Sequence, residues 1–289
     1  MPTFPTPQPI QVSLDLAAGD ARLTATERDD TVVEIRPRDA TRKADVRAAD
    51  EARVELAGGR LLVKTLRQGL GWSRTGAVEV TIALPAGSRV DGKTGVGELR
   101  SEGVLGESTF KSGAGAIRLD RTGPLKVISG AGDISVGAAN GTALVVTGTG
   151  AVALGAVDSD VIVKNGNGAT TIGSAGGDVR VAASNGDIVV DRVAGGLVAK
   201  TANGSLRIGA VRHGDVELRT AFGSIEIGVA EGTAARLDVR TSYGSVRQEL
   251  EAAGAPPAAA QTVAVKARTS HGDITIRRAT TTTGGAVAA

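Results

Sequence analysis

Lysine or arginine recurs at one fixed offset in this chain: Lys93, Lys111, Lys164, Lys200, Arg219, Arg240 and Arg268 each stand four residues before a glycine. The last four fall on successive repeats of one motif, so side chains that share a face would form a linear basic strip, Lys200-Arg219-Arg240-Arg268. Such a strip suits an anionic polymer or an acidic protein surface. Like charges on neighbouring strands crowd unless something neutralises them. Glu217 and Asp238, two residues before Arg219 and Arg240, lie on the same face and can do so. The same pattern also serves a charged sheet face that resists aggregation and binds nothing. No aromatic residues interleave with the strip to stack bases, which argues against a nucleic-acid partner.

Other chemistry is sparse. The chain has no cysteine, which removes disulfides, thiolate zinc sites and cysteine nucleophiles, and His213 and His271 are its two imidazoles. Glu102 and Asp120, each five residues after a glycine, form the best stacked carboxylate pair for glycoside chemistry. They have no companion histidine, and Arg100 and Arg118 stand beside them. A calcium ladder needs carboxylates on consecutive turns. The residue after each repeat glycine is instead Glu98, Ala116, Asp133, Ala151, Ala169, Asp187, Ser205, Ser224, Ser245 and Asp273. Gly148 to Ala153 fits a relaxed dinucleotide fingerprint, but a strand-like AVALGAV follows where that site needs a helix. No catalytic residue, metal or cofactor is therefore expected.

These residues are positioned by a repeat. TGVGEL, SGAGAI, SGAGDI, TGTGAV, NGNGAT, ASNGDI, TANGSL, TAFGSI, TSYGSV and TSHGDI align on Gly97, Gly115, Gly132, Gly150, Gly168, Gly186, Gly204, Gly223, Gly244 and Gly272, mostly 18 residues apart. Apolar residues alternate with period two on both sides of each glycine, which means strands. The column five before the glycine holds Val127, Val145, Val163, Val181, Ala199, Leu218 and Val239. The column four after it runs from Leu119 through Ile172 to Ile276. Fixed period and fixed phase predict an all-β parallel β-solenoid (β-helix), with rungs of about 18 residues stacked on their equivalents; an array of hairpins is the alternative.

In a solenoid the repeat glycine marks a corner, where positive φ favours Gly and, next to it, Asn. The column before it reads Asn167, Asn185 and Asn203, followed by Phe222, Tyr243 and His271. Amides can hydrogen-bond along such a stack, and rings can stack in their place. Thus Asn203-Gly204, a strong hairpin signal when read alone, is expected to be one corner among ten. Three before the glycine, Thr94, Ser112, Ser129, Thr147, Asn165, Thr201, Thr220, Thr241 and Thr269 can satisfy corner backbone groups.

Outside the repeat, residues 1–7 are expected to form an arm and 8–90 an irregular β cap continuous with the solenoid, with a separate β-sandwich as the alternative. Repeats fill 91–278 with an insertion near 249–262, and 279–289 reads as a disordered tail. The loop Leu66 to Gly76 is expected to protrude and offers Trp72 and Arg74 as a second contact point. With aromatics at 2% and glycine at 41 of 289 residues, the core must be Val, Ile, Leu and Ala. No run approaches the roughly 18 apolar residues of a membrane span. MPTFPTPQPIQVSL carries none of the regions of a secretory signal, which makes the cytoplasm the expected location.

The repeated GDI-x-V and NGD/NGS units, the LPAGSRV junction at Leu84 to Val90 and the closing TSHGDITIRR resemble bacterial DUF4097-type proteins, β-strand-repeat proteins that carry an adhesin label. The resemblance runs from about residue 8 to 278. It implies a repetitive β-helical domain with no established enzymatic activity and no catalytic residues to carry over. The expected function is a non-enzymatic scaffold or a module binding a protein or anionic polymer. The alternatives are self-assembly through the solenoid ends, with the rung around Thr269 to Ile276 as the uncapped end, and a carbohydrate-active β-helix enzyme.

Overall fold

The computed structural model describes residues 1–65, 76–250 and 261–279. Trp72 and Arg74, most of the insertion and nearly all of the tail lie outside the described residues. The chain divides into two compact units, Met1–Gly168 and Ala169–Ala289. Each is built from parallel strands in two sheets, as the period-two columns require, with every second side chain turned into the space between the sheets.

In the first unit one sheet stacks Arg89–Val96, Ser108–Ala114, Leu125–Ala131, Ala143–Thr149 and Val161–Asn167 in parallel register. The other stacks Leu99–Val104, Ile117–Thr122, Ile134–Ala139 and Val152–Val157. The apolar columns fall on one another, Val127 on Val145 on Val163 and Leu119 on Val136 on Leu154. All six are buried. Phe110, fully buried, lies opposite Gly92, where a Cβ would come within 2.9 Å of its ring. A large residue in this core is therefore matched by a missing side chain on the next strand.

Residues before 90 supply rungs as well. Gln11–Leu16 pairs in parallel with Arg89–Val96 and Arg60–Lys64, while Gly19–Thr26 pairs with Leu99–Val104 and Val78–Pro85. Gly19 is a corner glycine with φ +134°. Antiparallel strands flank these rungs: Asp30–Pro37 against Val78–Pro85, Thr3–Pro5 against Asp30–Pro37, and the hairpin of Arg53–Ala57 with Arg60–Lys64. One element was absent from the sequence reading, the helix Lys43–Asp50. Its buried Asp45 accepts backbone N–H groups of Asp39 and Ala77 at 3.2 and 3.0 Å. With Asp45 and Ala48 as its buried residues, this eight-residue helix shows only a short and weakly apolar face in the sequence.

In the second unit one sheet runs Thr170–Ala175, Ile188–Val193, Leu206–Val211, Ile225–Val229, Ile274–Arg278 and Val246–Gln248. The other runs Val179–Asn185, Leu197–Lys200, Gly214–Phe222, Thr262–His271 and Ala234–Tyr243. The last two rungs are thus exchanged relative to chain order. The rung 262–278 lies between 214–229 and 234–248, which corrects two expectations, the strip order Lys200-Arg219-Arg240-Arg268 and the uncapped end. Thr269 to Ile276 is an interior rung, and 234–248 is the outermost among the described residues. Column register tells which residues share a row but not which rung is whose neighbour.

Candidate binding surface

Corner geometry sets the positions of the side chains in question. Gly204 has φ +148°, and a Cβ there would stand 2.2 Å from the carbonyl oxygen of Gly186; Gly223, Gly272 and Gly244 repeat this at φ +143° to +153°. Only glycine fits. The hydroxyls of Thr220, Thr269 and Thr241 donate to the carbonyls of Gly204, Gly223 and Gly272 at 2.9–3.0 Å, each reaching the corner of the preceding rung in the stack. Asp187 and Asp273 accept the N–H groups of Ser205 and Ser245 at 2.8 Å, and in the first unit Asp133 accepts that of Ala151. These carboxylates are occupied by backbone, and Ser245 Oγ also donates to Asp273 at 3.0 Å. The carboxyl of Asp273 is held below its ordinary value by the two hydrogen bonds from Ser245.

With the corners fixed, the residue before each glycine points outward along the edge of the second unit. Asn203 Nδ2 donates to Asn185 Oδ1 at 2.8 Å. Above Asn203 stands Phe222, then His271, then Tyr243. The His271 ring is sandwiched, 4.8 Å from Phe222 and 4.7 Å from Tyr243, with interplanar angles of 14° and 16°. That spacing equals the distance between strands. Phe222 and Tyr243 are 55% and 69% exposed. Asn167 ends the strand Val161–Asn167 of the first unit, in register with Thr149.

Three residues before the rings runs the basic row, in the spatial order Lys200, Arg219, Arg268, Arg240. Beside it, Val198, Glu217, Lys266 and Asp238 form a second outward row. Glu217 accepts Lys200 Nζ at 3.2 Å and Arg219 Nε at 2.8 Å; Asp238 takes Arg268 at 3.1 Å and Arg240 at 3.6 Å. The hydrogen bond from Lys200 holds the Glu217 carboxyl below its ordinary value, helped by the charges of Lys200, Arg219 and Lys266 against the opposing effect of burial. Exchange of the rungs thus brings Lys266 into the patch, a cation the sequence reading missed because it lies outside the aligned column. In these two rows five cations meet two carboxylates over four strands.

The carboxylates considered for catalysis are engaged elsewhere: Glu102 pairs with Arg100 at 3.1 Å, and Asp120 accepts the Gly103 N–H at 3.0 Å. Among the described residues no group of three or more His, Asp or Glu side chains could hold a metal ion, and no helix is long and apolar enough to cross a membrane.

Rungs of fixed register, glycine corners and a charged outer face edged by stacked rings define a parallel β-solenoid of two compact units. The chain belongs to the Toastrack DUF4097 family, whose model matches residues 10–277. It is similar to solved structures described as a "putative cell adhesion protein" from Clostridium sporogenes (11% identity, 96% of this chain and 98% of that one, TM-score 0.22) and a "putative adhesin" from Bacteroides fragilis (12%, 95% and 95%, TM-score 0.29). A "putative adhesin" from Parabacteroides merdae is 10% identical over 95% of this chain and 94% of its own, with a TM-score of 0.39. No curated protein matches the chain.

Proposed function

We propose that this protein is a non-enzymatic binding module whose second unit presents the row Lys200, Arg219, Arg268 and Arg240 to an anionic polymer or to the acidic surface of a protein. The excess of five cations over two carboxylates in the two adjoining outward rows of four adjacent strands carries this reading. Solvent reaches the row, since Lys200, Arg219 and Arg240 are 47%, 50% and 72% exposed. A polyanion lying across the strands meets a cation about every 4.8 Å, and water-exposed ion pairs within the patch are weak enough to open for it. The cytoplasmic location expected from the sequence belongs to the same proposal and is checked by fractionating the native cells.

Retention on an immobilised sulfated polysaccharide and on polyglutamate tests the module. The expected result is binding that weakens with salt and falls at least tenfold in the Arg219→Glu, Arg240→Glu double variant. Equal retention of the two proteins would remove the row from the site.

A further inference from the structure

The outermost rung of the second unit carries an open strand edge ten residues long, Ala234–Tyr243, with the short strand Val246–Gln248 at the edge of the other sheet. Ala234 N–H donates to Gln261 O at 2.9 Å, so even-numbered residues turn their amides toward Thr262–His271. By alternation Ala235, Leu237 and Val239 turn theirs toward the edge that no described strand occupies. The core end is also open there, with Leu237 and Val239 half-buried and Val246 44% exposed. An edge of this length invites another strand.

We propose that a second copy of this chain occupies it, forming an end-to-end dimer through rung 234–248. An isologous contact pairs the strand with itself in antiparallel fashion about a two-fold axis, and alternating side chains allow only registers centred on a residue. Centring on Val239 sets Val239 against its equivalent as a hydrogen-bonded pair and joins Leu237 to Thr241. On the outer face it sets Asp238 against Arg240 and Arg240 against Asp238, with Arg236 opposite Ser242. Centring on Asp238 would oppose two aspartates and also Arg236 to Arg240, and centring on Arg240 would oppose two arginines. Like charges directly opposite are unfavourable. The Val239 register pairs Leu237 through Thr241 and stops short of Tyr243, whose carbonyl already accepts the Gly272 N–H inside the stack; it has complementary charges and covers Leu237 and Val239. This contact does not depend on the polymer-binding reading.

Light scattering on the size-excluded full chain tests it. Twice the chain mass at micromolar concentration is expected, and a single-chain mass up to hundreds of micromolar would overturn the proposal. Val239→Pro removes the amide at the two-fold axis without touching the basic row, and should weaken the dimer at least tenfold. Arg240→Asp and Asp238→Arg should each do the same, and the double variant D238R/R240D, which restores opposite charges in swapped positions, should dimerise again. A double variant with native circular dichroism that stays monomeric would overturn the register. Single variants that remain dimeric would move the interface away from this edge.

Discussion

Glu226 lies between two guanidinium groups, accepting Arg277 Nε at 2.8 Å and Arg207 Nε at 3.2 Å, and so ties three neighbouring rungs together. The hydrogen bond from Arg277 is the main cause of its lowered carboxyl pKa, joined by that from Arg207 and by both charges, against the opposing effect of partial burial. Because the folded value lies below the ordinary one of 4.5, the stabilisation is complete above that pH and is lost as pH falls through the folded value. Glu217 behaves in the same sense. Urea midpoints should therefore hold level from pH 7 to 5 and drop in more acid solution, and Glu226→Gln should flatten that drop while lowering the midpoint at pH 7. A steep acid limb unchanged in the variant would assign the effect to other carboxylates. Arg207 and Glu226 stand three residues after their repeat glycines and Arg277 five, so no single column in the sequence joins the clamp.

At the scale of the strand, the inward columns carry the packing. Leu218 is fully buried, and its register neighbours are Ala199 and Ala267. One long side chain thus fills the space beside two short ones, and Leu218→Ala should cost about 2–5 kcal/mol in denaturant unfolding, whereas Val246→Ala on the outer rung should change stability by less than about 0.5 kcal/mol. The strands, corners and rows were legible because period-two alternation and a glycine every 18 residues are local signals. The spatial order of the last two rungs was not, because Arg240 and Arg268 satisfy the same column whichever neighbours Arg219. The helix Lys43–Asp50 escaped because its buried residues, Asp45 and Ala48, make a short and weakly apolar face.

For the molecule as a whole, stability in stacked repeats is approximately a sum of rung and nearest-neighbour terms. Damage should therefore stay local. Gly204→Ala forces a Cβ to 2.2 Å from a backbone oxygen at φ +148°, and hydrogen exchange should speed up in the strands from Val179 to Val211 while those from Arg89 to Leu119 keep their protection. Uniform acceleration along the chain would show one cooperative fold instead. The net charge of +2 gave no hint of a basic patch, because 33 basic and 31 acidic residues nearly cancel over the whole chain.

The exchanged rungs also bear on how the protein is made. A solenoid in chain order can add each turn as it leaves the ribosome. Here the strand Ala234–Tyr243 has Thr262–His271 as its backbone partner, a segment synthesised on the order of a few seconds later at about 5–20 residues per second. Its apolar residues Leu237 and Val239 wait unpaired during that interval. The rung 262–278 thus has to enter between two segments that precede it in the chain, an insertion into the stack rather than an addition to its end.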